Sequence, residues 1–203
     1  HGYYTSNKAI GKDGDFVTAP EISQMFGEII AVKILNLIHA RNIKKFNLIE
    51  LGPGRGALIN DITRVLNALL DEDVEYTIHF NEINKFYIQN LKNTYPNCKI
   101  HKNFNSYPNE FSVIIANEFF DALPINQIVS NNGLWYERKI GLKDNTFCFE
   151  LGSRIIDTVG ISPYPPGKII EDRLYTKKLL VNIFDLIIKN KGALIIIDYG
   201  QLE

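Results

Sequence analysis

Two hydrophobic patterns alternate along the chain from Phe46 onward. Short apolar runs rich in β-branched residues predict buried strands, whereas segments whose apolar residues recur every three or four positions predict amphipathic helices. Strands that alternate with helices are typical of βαβ units, which build a mainly parallel sheet covered by helices. The pattern therefore predicts an α/β fold with a doubly wound, mainly parallel sheet.

The same pattern gives bounds for each element. Strands are predicted at residues 46–51, 75–82, 98–101, 111–117 and 193–198. Helices are predicted at residues 57–70 and 171–190, and between them a helix containing Phe86, Ile88 and Leu91. That middle helix should end before Pro96, because proline has no amide hydrogen for the helical ladder.

Strand-like alternation with a period of two appears between residues 127 and 151, around two runs of turn-forming residues. Such a pattern predicts an inserted antiparallel meander. We therefore assign residues 46–203 to one core domain that carries the insertion at 127–151. Residues 162–167 contain three prolines and are predicted to be a loop.

Residues 1–45 are predicted to form an N-terminal loop followed by a helix. The loop ends in Gly-Lys-Asp-Gly-Asp-Phe, and it either closes over a site as a lid, through Asp15 and Phe16, or simply connects. Thr18 and Glu21 have the spacing of a capping box, with Pro20 in the first turn. We expect these two residues to cap the helix, with ligand contact as the alternative.

Composition limits the classes of function. The chain has 203 residues, 45% of them hydrophobic, which is enough for one substantial core. A net charge of -1 gives no global field for nucleic acid or an anionic membrane, and no apolar run is long enough to span a bilayer. The two cysteines and four histidines show no metal-binding spacing. We therefore expect no metal, no nucleic acid and no membrane insertion.

The most informative stretch is residues 47–61, in which an apolar strand leads into Glu50 and then Gly52, Pro53, Gly54 and Gly56 before a helix. Glycines at alternate positions allow a sharp turn and a close approach of a ligand to the backbone. A carboxylate in the loop would repel pyrophosphate but attract the sulfonium and α-amino groups of S-adenosyl-L-methionine. The turn predicts that cofactor, with a tight connection that binds nothing as the alternative.

Two further positions suit an adenosine. Glu82 ends the second predicted strand beside the glycine turn, where a carboxylate can accept both ribose hydroxyls. Asn103 and Phe104 follow the third strand, where the adenine would lie and an aromatic ring could stack on it. The alternatives are a solvated charge at Glu82 and an ordinary loop at Asn103 and Phe104.

The acceptor side of the site is predicted at the end of the fourth strand, which reads Asn-Glu-Phe-Phe-Asp-Ala-Leu-Pro from Asn117. Amino-methyltransferases of nucleic acids often carry Asn-Pro-Pro-Phe here, and Phe120 keeps the spacing without the prolines, which argues against a base as substrate. Glu118 and Asp121 suit a cationic acceptor, because paired carboxylates orient a guanidinium. The alternative is a helix start with solvated charges.

Five motifs, in order, resemble the MidA-like methyltransferases, a family that includes the mitochondrial arginine methyltransferase assisting respiratory complex I assembly. They are GYYTSNKAIGKDGDFVTAPEISQMFGE, LIELGPGRGALINDI, IANEFFDALPINQ, LWYERKIGL and IIIDYG. The resemblance implies an S-adenosyl-L-methionine-dependent methyltransferase whose acceptor is a protein arginine. It also implies further C-terminal strands beyond those in this chain, and a location in the mitochondrial matrix for a eukaryotic protein or in the cytoplasm for a bacterial one.

Two other functions remain open at this point. A nicotinamide-dependent oxidoreductase also uses a glycine-rich turn, but its pattern is GxGxxG with the carboxylate about 20 residues later. A non-catalytic assembly module would keep the fold and use the meander to hold a partner. For the enzyme, we predict Glu118, Asp121 and Asn117 as catalytic residues in an in-line methyl transfer that depends on positioning and electrostatics.

Overall fold

The structure, a computed structural model, describes residues 18–102, 107–155 and 165–200. Its helices are α1 Ala19–Ile22, α2 Gln24–Ala40, α3 Ala57–Leu69, α4 Lys85–Thr94 and α5 Leu174–Asn190. Its strands are β1 Lys45–Leu51, β2 Glu75–Asn81, β3 Lys99–His101, β4 Ser112–Asn117, β5 Asn126–Asn131, β6 Leu134–Lys143, β7 Thr146–Arg154, β8 Ile169–Asp172 and β9 Ala193–Ile197. The chain divides into two compact units, one of His1–Ala122 with Val181–Glu203 and one of Leu123–Leu180.

The first unit contains a five-stranded sheet in the order β3-β2-β1-β4-β9, and every pairing in it is parallel. The chain runs outward from β1 through β2 to β3 and then returns to place β4 on the other side of β1. The predicted doubly wound sheet is therefore confirmed. A switch of direction between β1 and β4 leaves a crevice at their carboxyl ends, where open α/β sheets bind ligands.

The two central strands owe their position to their composition. All six positions of β1 after Lys45 are buried, as are the first five positions of β4. Apolar residues from these strands pack with α2 and α3 in one core, which includes Ile34, Leu48, Ile62 and Val113. Strands covered on both faces read as continuous apolar runs, which explains why the sequence located them within one residue.

The N-terminal helix differs from the prediction. Instead of one helix capped by Thr18, the short α1 ends at Ser23, whose extended backbone separates it from α2. Thr18 makes no side-chain cap bond, whereas the Ser23 hydroxyl accepts a hydrogen bond from the Met25 amide at 3.3 Å. The capping box was therefore wrong, because a serine five residues later satisfies the amides of the longer helix.

The second unit contains an antiparallel sheet in the order β7-β6-β5-β8. Its first three strands confirm the predicted antiparallel insertion, but β8 lies where the sequence predicted the start of a helix at Glu171. Residues Ile169–Asp172 instead pair with β5, and α5 begins at Leu174. Pairing with a neighbouring strand has overridden a helical pattern that extended only a few residues too far.

Two predicted apolar stripes are also only partly buried. Leu69 of α3 is 58% exposed and Phe184 of α5 is 49% exposed, whereas Ile183 is fully buried. Among the described residues, no helix is both long enough and apolar enough to cross a bilayer. The same residues contain no cluster of three or more histidine, cysteine or acidic side chains that could hold a metal ion.

Candidate active site

A cleft lies at the carboxyl ends of β1 and β4 in the first unit. Its cavity volume is about 180 Å³, which is smaller than the roughly 300–1,000 Å³ of typical small-molecule sites. The predicted site residues that line it are Glu50, Gly52, Pro53, Gly54, Asn117, Glu118 and Asp121. The fold thus brings the glycine turn and the acceptor motif to one cavity, although 65 residues separate Gly52 from Asn117 in the chain (117 − 52).

The glycine turn has the backbone geometry that its sequence predicts. Gly52, Gly54 and Gly56 all have positive φ, at 63°, 53° and 82°. A Cβ on Gly52 would also lie 2.8 Å from the Phe119 ring, which is too close for a real contact. Gly52 is therefore required both by its left-handed backbone and by the aromatic ring packed against it.

Glu50 is the buried acid of the cleft, with only 3% of its surface exposed. Its Oε2 atom has no hydrogen-bond partner among the described residues. Burial, and secondarily the neighbouring charge of Glu82, raise the pKa of Glu50 to about 8. An acid in this state gains from a cation that enters the cleft, because the cation favours its ionised form.

Glu82 is held by the backbone around it. Its Oε1 accepts hydrogen bonds from the amides of Ile83 and Asn84 at 2.7 and 2.8 Å, and its Oε2 accepts one from Gly54 at 3.2 Å. These bonds partly offset the burial that raises the pKa of Glu82. Glu82 and Gly56 do not line the cleft, so Glu82 acts on the site through the Gly54 amide, and its contact with a ribose stays a prediction.

The acceptor motif forms a turn after β4. Glu118 has a φ of 47°, a left-handed conformation that costs a non-glycine residue on the order of 1 kcal/mol or more. Its amide donates a hydrogen bond to the Ile197 carbonyl at 2.8 Å. Asp121 lies three residues later, and burial and the charge of Asp198 raise its pKa.

Three residues of the cleft surroundings were missed by the sequence reasoning. Asp198 accepts hydrogen bonds from the amides of Phe120 and Asp121, both at 3.2 Å. Tyr199 lines the cleft, as does Arg55. The available signal was the Asp-Tyr-Gly run after the last strand, because β9 pairs with β4 in parallel and their carboxyl ends must meet.

Four predicted site residues, Asp15, Phe16, Asn103 and Phe104, lie outside the described residues, and their roles stay predictions. Thr18 and Glu21, for which ligand contact was the alternative, do line the cleft. Ligand contact is therefore the better supported interpretation of Thr18 and Glu21, since the predicted side-chain cap is not formed.

The histidines are less scattered than the sequence suggested. His79 and His101, on neighbouring strands, stack with ring centroids 5.0 Å apart, and their Nδ1 and Nε2 atoms are 2.8 Å apart. Burial lowers the pKa of both, that of His79 to about 4. The two rings therefore pack against each other as neutral side chains of neighbouring strands.

A model of one protein family matches residues 29–203 of the chain, and that family is described as "Putative S-adenosyl-L-methionine-dependent methyltransferase". The chain belongs to this methyltransferase family. The resemblance predicted from five motifs is thereby confirmed, and the cofactor in the description of the family is the one predicted from Glu50 and the glycine turn.

Curated relatives of the chain include mitochondrial proteins from animals. A protein named protein arginine methyltransferase NDUFAF7 homolog from Drosophila melanogaster is 28% identical over 98% of the chain and 53% of its own length. Protein arginine methyltransferase NDUFAF7 from Xenopus laevis is 31% identical over 99% of the chain and 53% of its own length. The chain thus spans about half the length of the curated relatives it matches.

Solved structures agree with the fold of the chain. A candidate methyl transfer protein from Burkholderia thailandensis, bound to S-adenosyl-homocysteine, has a TM-score of 0.72 and 22% identity, and the match covers 96% of this chain and 52% of the other. A second structure from the same organism has a TM-score of 0.71 and 20% identity over 98% of this chain and 55% of the other. These matches confirm the α/β fold class.

Proposed function

We propose that this chain is the catalytic core of an enzyme that uses S-adenosyl-L-methionine to methylate an arginine side chain of a protein. The observation that carries the proposal is the buried Glu50 carboxylate, whose Oε2 lacks a hydrogen-bond partner among the described residues. A buried acid without a partner is unfavourable. A positively charged ligand in the cleft removes that penalty, and the cofactor carries two such groups.

The residues around the turn fit this cofactor. Glu50 would hold its cationic amino-acid end, and Gly52, Pro53 and Gly54 would lie along it, because the two glycines have no Cβ that would block a close approach. Glu82 would reach the ribose with the lone pairs that its three backbone bonds leave. When bound, the cofactor supplies a methyl group on a positively charged sulfur.

The acceptor would be held by the turn after β4. Glu118 and Asp121 both line the cleft, and two carboxylates with Asn117 can align a planar guanidinium by directed hydrogen bonds. An arginine nitrogen must lose a proton as its bond to the methyl carbon forms. Asp121 is the better acceptor of that proton, because its raised pKa makes it a stronger base than an ordinary aspartate.

The cofactor assignment is tested by calorimetric titration of the full-length protein with S-adenosylhomocysteine. Glu50→Gln should weaken binding by about 10- to 100-fold, since a hydrogen bond to a charged group is lost in a buried site. Glu72→Gln removes an exposed carboxylate and should leave the affinity unchanged. NAD should not bind to either protein. Equal affinity of the wild type and Glu50→Gln would contradict the assignment.

The acceptor assignment is tested with labelled cofactor and a protein extract from cells that lack the gene, followed by mass spectrometry for methyl-arginine. The double variant Glu118→Gln with Asp121→Asn should lose methyl transfer while its affinity for S-adenosylhomocysteine stays within about two-fold, since neither residue belongs to the glycine turn. Methylation that survives in this variant would exclude the assigned roles. Partner assembly that survives without methylation would favour the non-catalytic module.

The relatives suggest where the protein acts. Their names place them in mitochondria, so we propose the mitochondrial matrix for a eukaryotic source and the cytoplasm for a bacterial one. By resemblance, the methylation would be linked to the assembly of respiratory complex I. Comparing methyl-arginine in that complex between cells with and without the intact gene tests this assignment, and an identical pattern would contradict it.

A further inference from the structure

The turn after β4 carries the acceptor carboxylates, yet it is not a stable backbone conformation by itself. Glu118 has a φ of 47°, in the left-handed region that side chains other than asparagine and aspartate rarely adopt. Such a residue persists only where the surroundings hold it. The segment that holds it lies at the end of β9, far along the chain.

Ile197 and Asp198 accept hydrogen bonds from three amides of this turn. The Ile197 carbonyl accepts from the Glu118 amide at 2.8 Å, and Asp198 Oδ2 accepts from the amides of Phe120 and Asp121 at 3.2 Å each. Asp198 Oδ1 in turn accepts from the Tyr199 amide at 2.9 Å. The Asp198 carboxylate therefore accepts hydrogen bonds both from the turn after β4 and from the amide of Tyr199.

Tyr199 adds a contact to the side chain that the turn presents. The Glu118 carboxylate lies beside its hydroxyl and raises the pKa of the tyrosine, which lines the cleft although it is 74% exposed. With the Tyr199 hydroxyl on one side of the Glu118 carboxylate, the lone pairs on its other sides are the ones that can bind a ligand. Tyr199 thus restricts the orientation in which Glu118 can receive a ligand.

On its other side, the turn rests on the glycine corner. The Phe119 ring packs against Gly52 so closely that a Cβ there would lie 2.8 Å from it. The turn is therefore held between β9 on one side and the predicted cofactor corner on the other. This arrangement fixes the distance between the two halves of the cleft.

We infer that Asp198 and Tyr199 are positioning residues that hold Glu118 and Asp121 in the geometry that receives the acceptor. The inference rests on the proposed function for the meaning of the acceptor, but the clasp formed by residues 197–199 is defined by its own hydrogen bonds. Asp198 holds the backbone of the turn, and Tyr199 orients the Glu118 carboxylate.

The test uses the full-length protein and a fixed pool of arginine-containing peptides that accept label from the cofactor. Asp198→Ala should lower kcat/KM for the peptides by about 10- to 100-fold, because small misplacements of positioning groups have effects of that size. Asp198→Asn keeps an acceptor oxygen and should restore part of the loss. Affinity for S-adenosylhomocysteine should stay within about two-fold in both variants.

Tyr199→Phe should raise the KM for the peptides by about five-fold, the effect of one hydrogen bond, with a smaller change in kcat. The matched controls are Asp185→Ala and Tyr175→Phe, which change exposed residues that do not line the cleft. Both controls should behave as wild type. A uniform loss of cofactor affinity in Asp198→Ala would mean a general structural role and would overturn the inference.

Hydrogen exchange separates this inference from the proposed function. The amides of Phe120 and Asp121 should exchange at least about ten-fold faster in Asp198→Ala than in the wild type, because their acceptor is gone. Unchanged exchange would refute the clasp whatever the activity. If the wild type methylated no peptide, the proposed acceptor would fall and the positioning role with it, while faster exchange would still show that the clasp exists.

Discussion

Glu50 and Gly52 stand two positions apart and are constrained for different reasons. Glu50 is constrained by charge, because a buried carboxylate with a free oxygen has a use only where a cation approaches. Gly52 is constrained by space and by backbone, because the Phe119 ring occupies the position of a Cβ. Both residues were predicted from the local pattern of the glycine turn, whereas the contact of Gly52 with Phe119 comes from a distant part of the chain.

At the residue scale, we predict that Gly52→Ala destabilises the protein by about 2–4 kcal/mol, combining left-handed strain with overpacking. Gly133→Ala is the matched control, since Gly133 has a φ of 75° but no atom within 4 Å of an added Cβ. It should cost only about 1 kcal/mol. Urea unfolding of both variants measures the difference, and equal losses would show that Phe119 does not confine the position.

Asp198 and Tyr199 show what the sequence did not reveal. A residue that acts on a turn 78 positions away has no local signature, and only the strand order places it. The parallel register of β4 and β9 supplies that information. The sequence therefore showed the chemistry of these residues but not which segments lie side by side in the fold.

At the element scale, the central strands and α3 were predicted well, whereas the break in the N-terminal helix and the start of α5 were not. Continuous apolar runs specify β1 and β4 because both faces are covered. The break at Ser23 and the strand β8 depend on choices between competing hydrogen bonds, which a pattern of polar and apolar residues does not encode. Capping and edge pairing decided both.

The two candidate caps of the N-terminal helices make a paired prediction. Ser23→Ala should destabilise the protein by about 1 kcal/mol, because the Met25 amide loses its acceptor. Thr18→Ala should cost less than about 0.5 kcal/mol, since the Thr18 side chain makes no cap bond. Thermal unfolding of the two variants provides the comparison. A larger loss for Thr18→Ala would restore the capping box that the sequence suggested.

At the scale of the whole molecule, two buried groups act on stability in opposite directions. The pKa of Glu50 is raised to about 8 from 4.5, so its contribution to stability falls as the pH rises between these values. The pKa of His79 is lowered to about 4 from 6.5, so its contribution falls as the pH decreases between those values. The two effects oppose each other from about pH 4.5 to 6.5.

Above pH 6.5 the raised pKa of Glu50 still makes stability depend on pH, whereas the lowered pKa of His79 no longer does. This difference leads to a third prediction. The free energy of unfolding of the protein alone should fall by about 2 kcal/mol between pH 6.5 and 8, from linkage at 1.36 kcal/mol per pH unit. Denaturant unfolding across this range should show that Glu50→Gln removes most of the slope, and a slope retained in that variant would assign it to other groups.

The hydrogen bond between Gly54 and Glu82 has one more effect. It ties the tip of the glycine corner to the end of β2 without help from any ligand. A corner that is already rigid loses little conformational entropy when a ligand binds. Binding of a small molecule there should therefore be limited by diffusion and by deprotonation of the buried Glu50. Slow ordering of the loop around the ligand should not limit it.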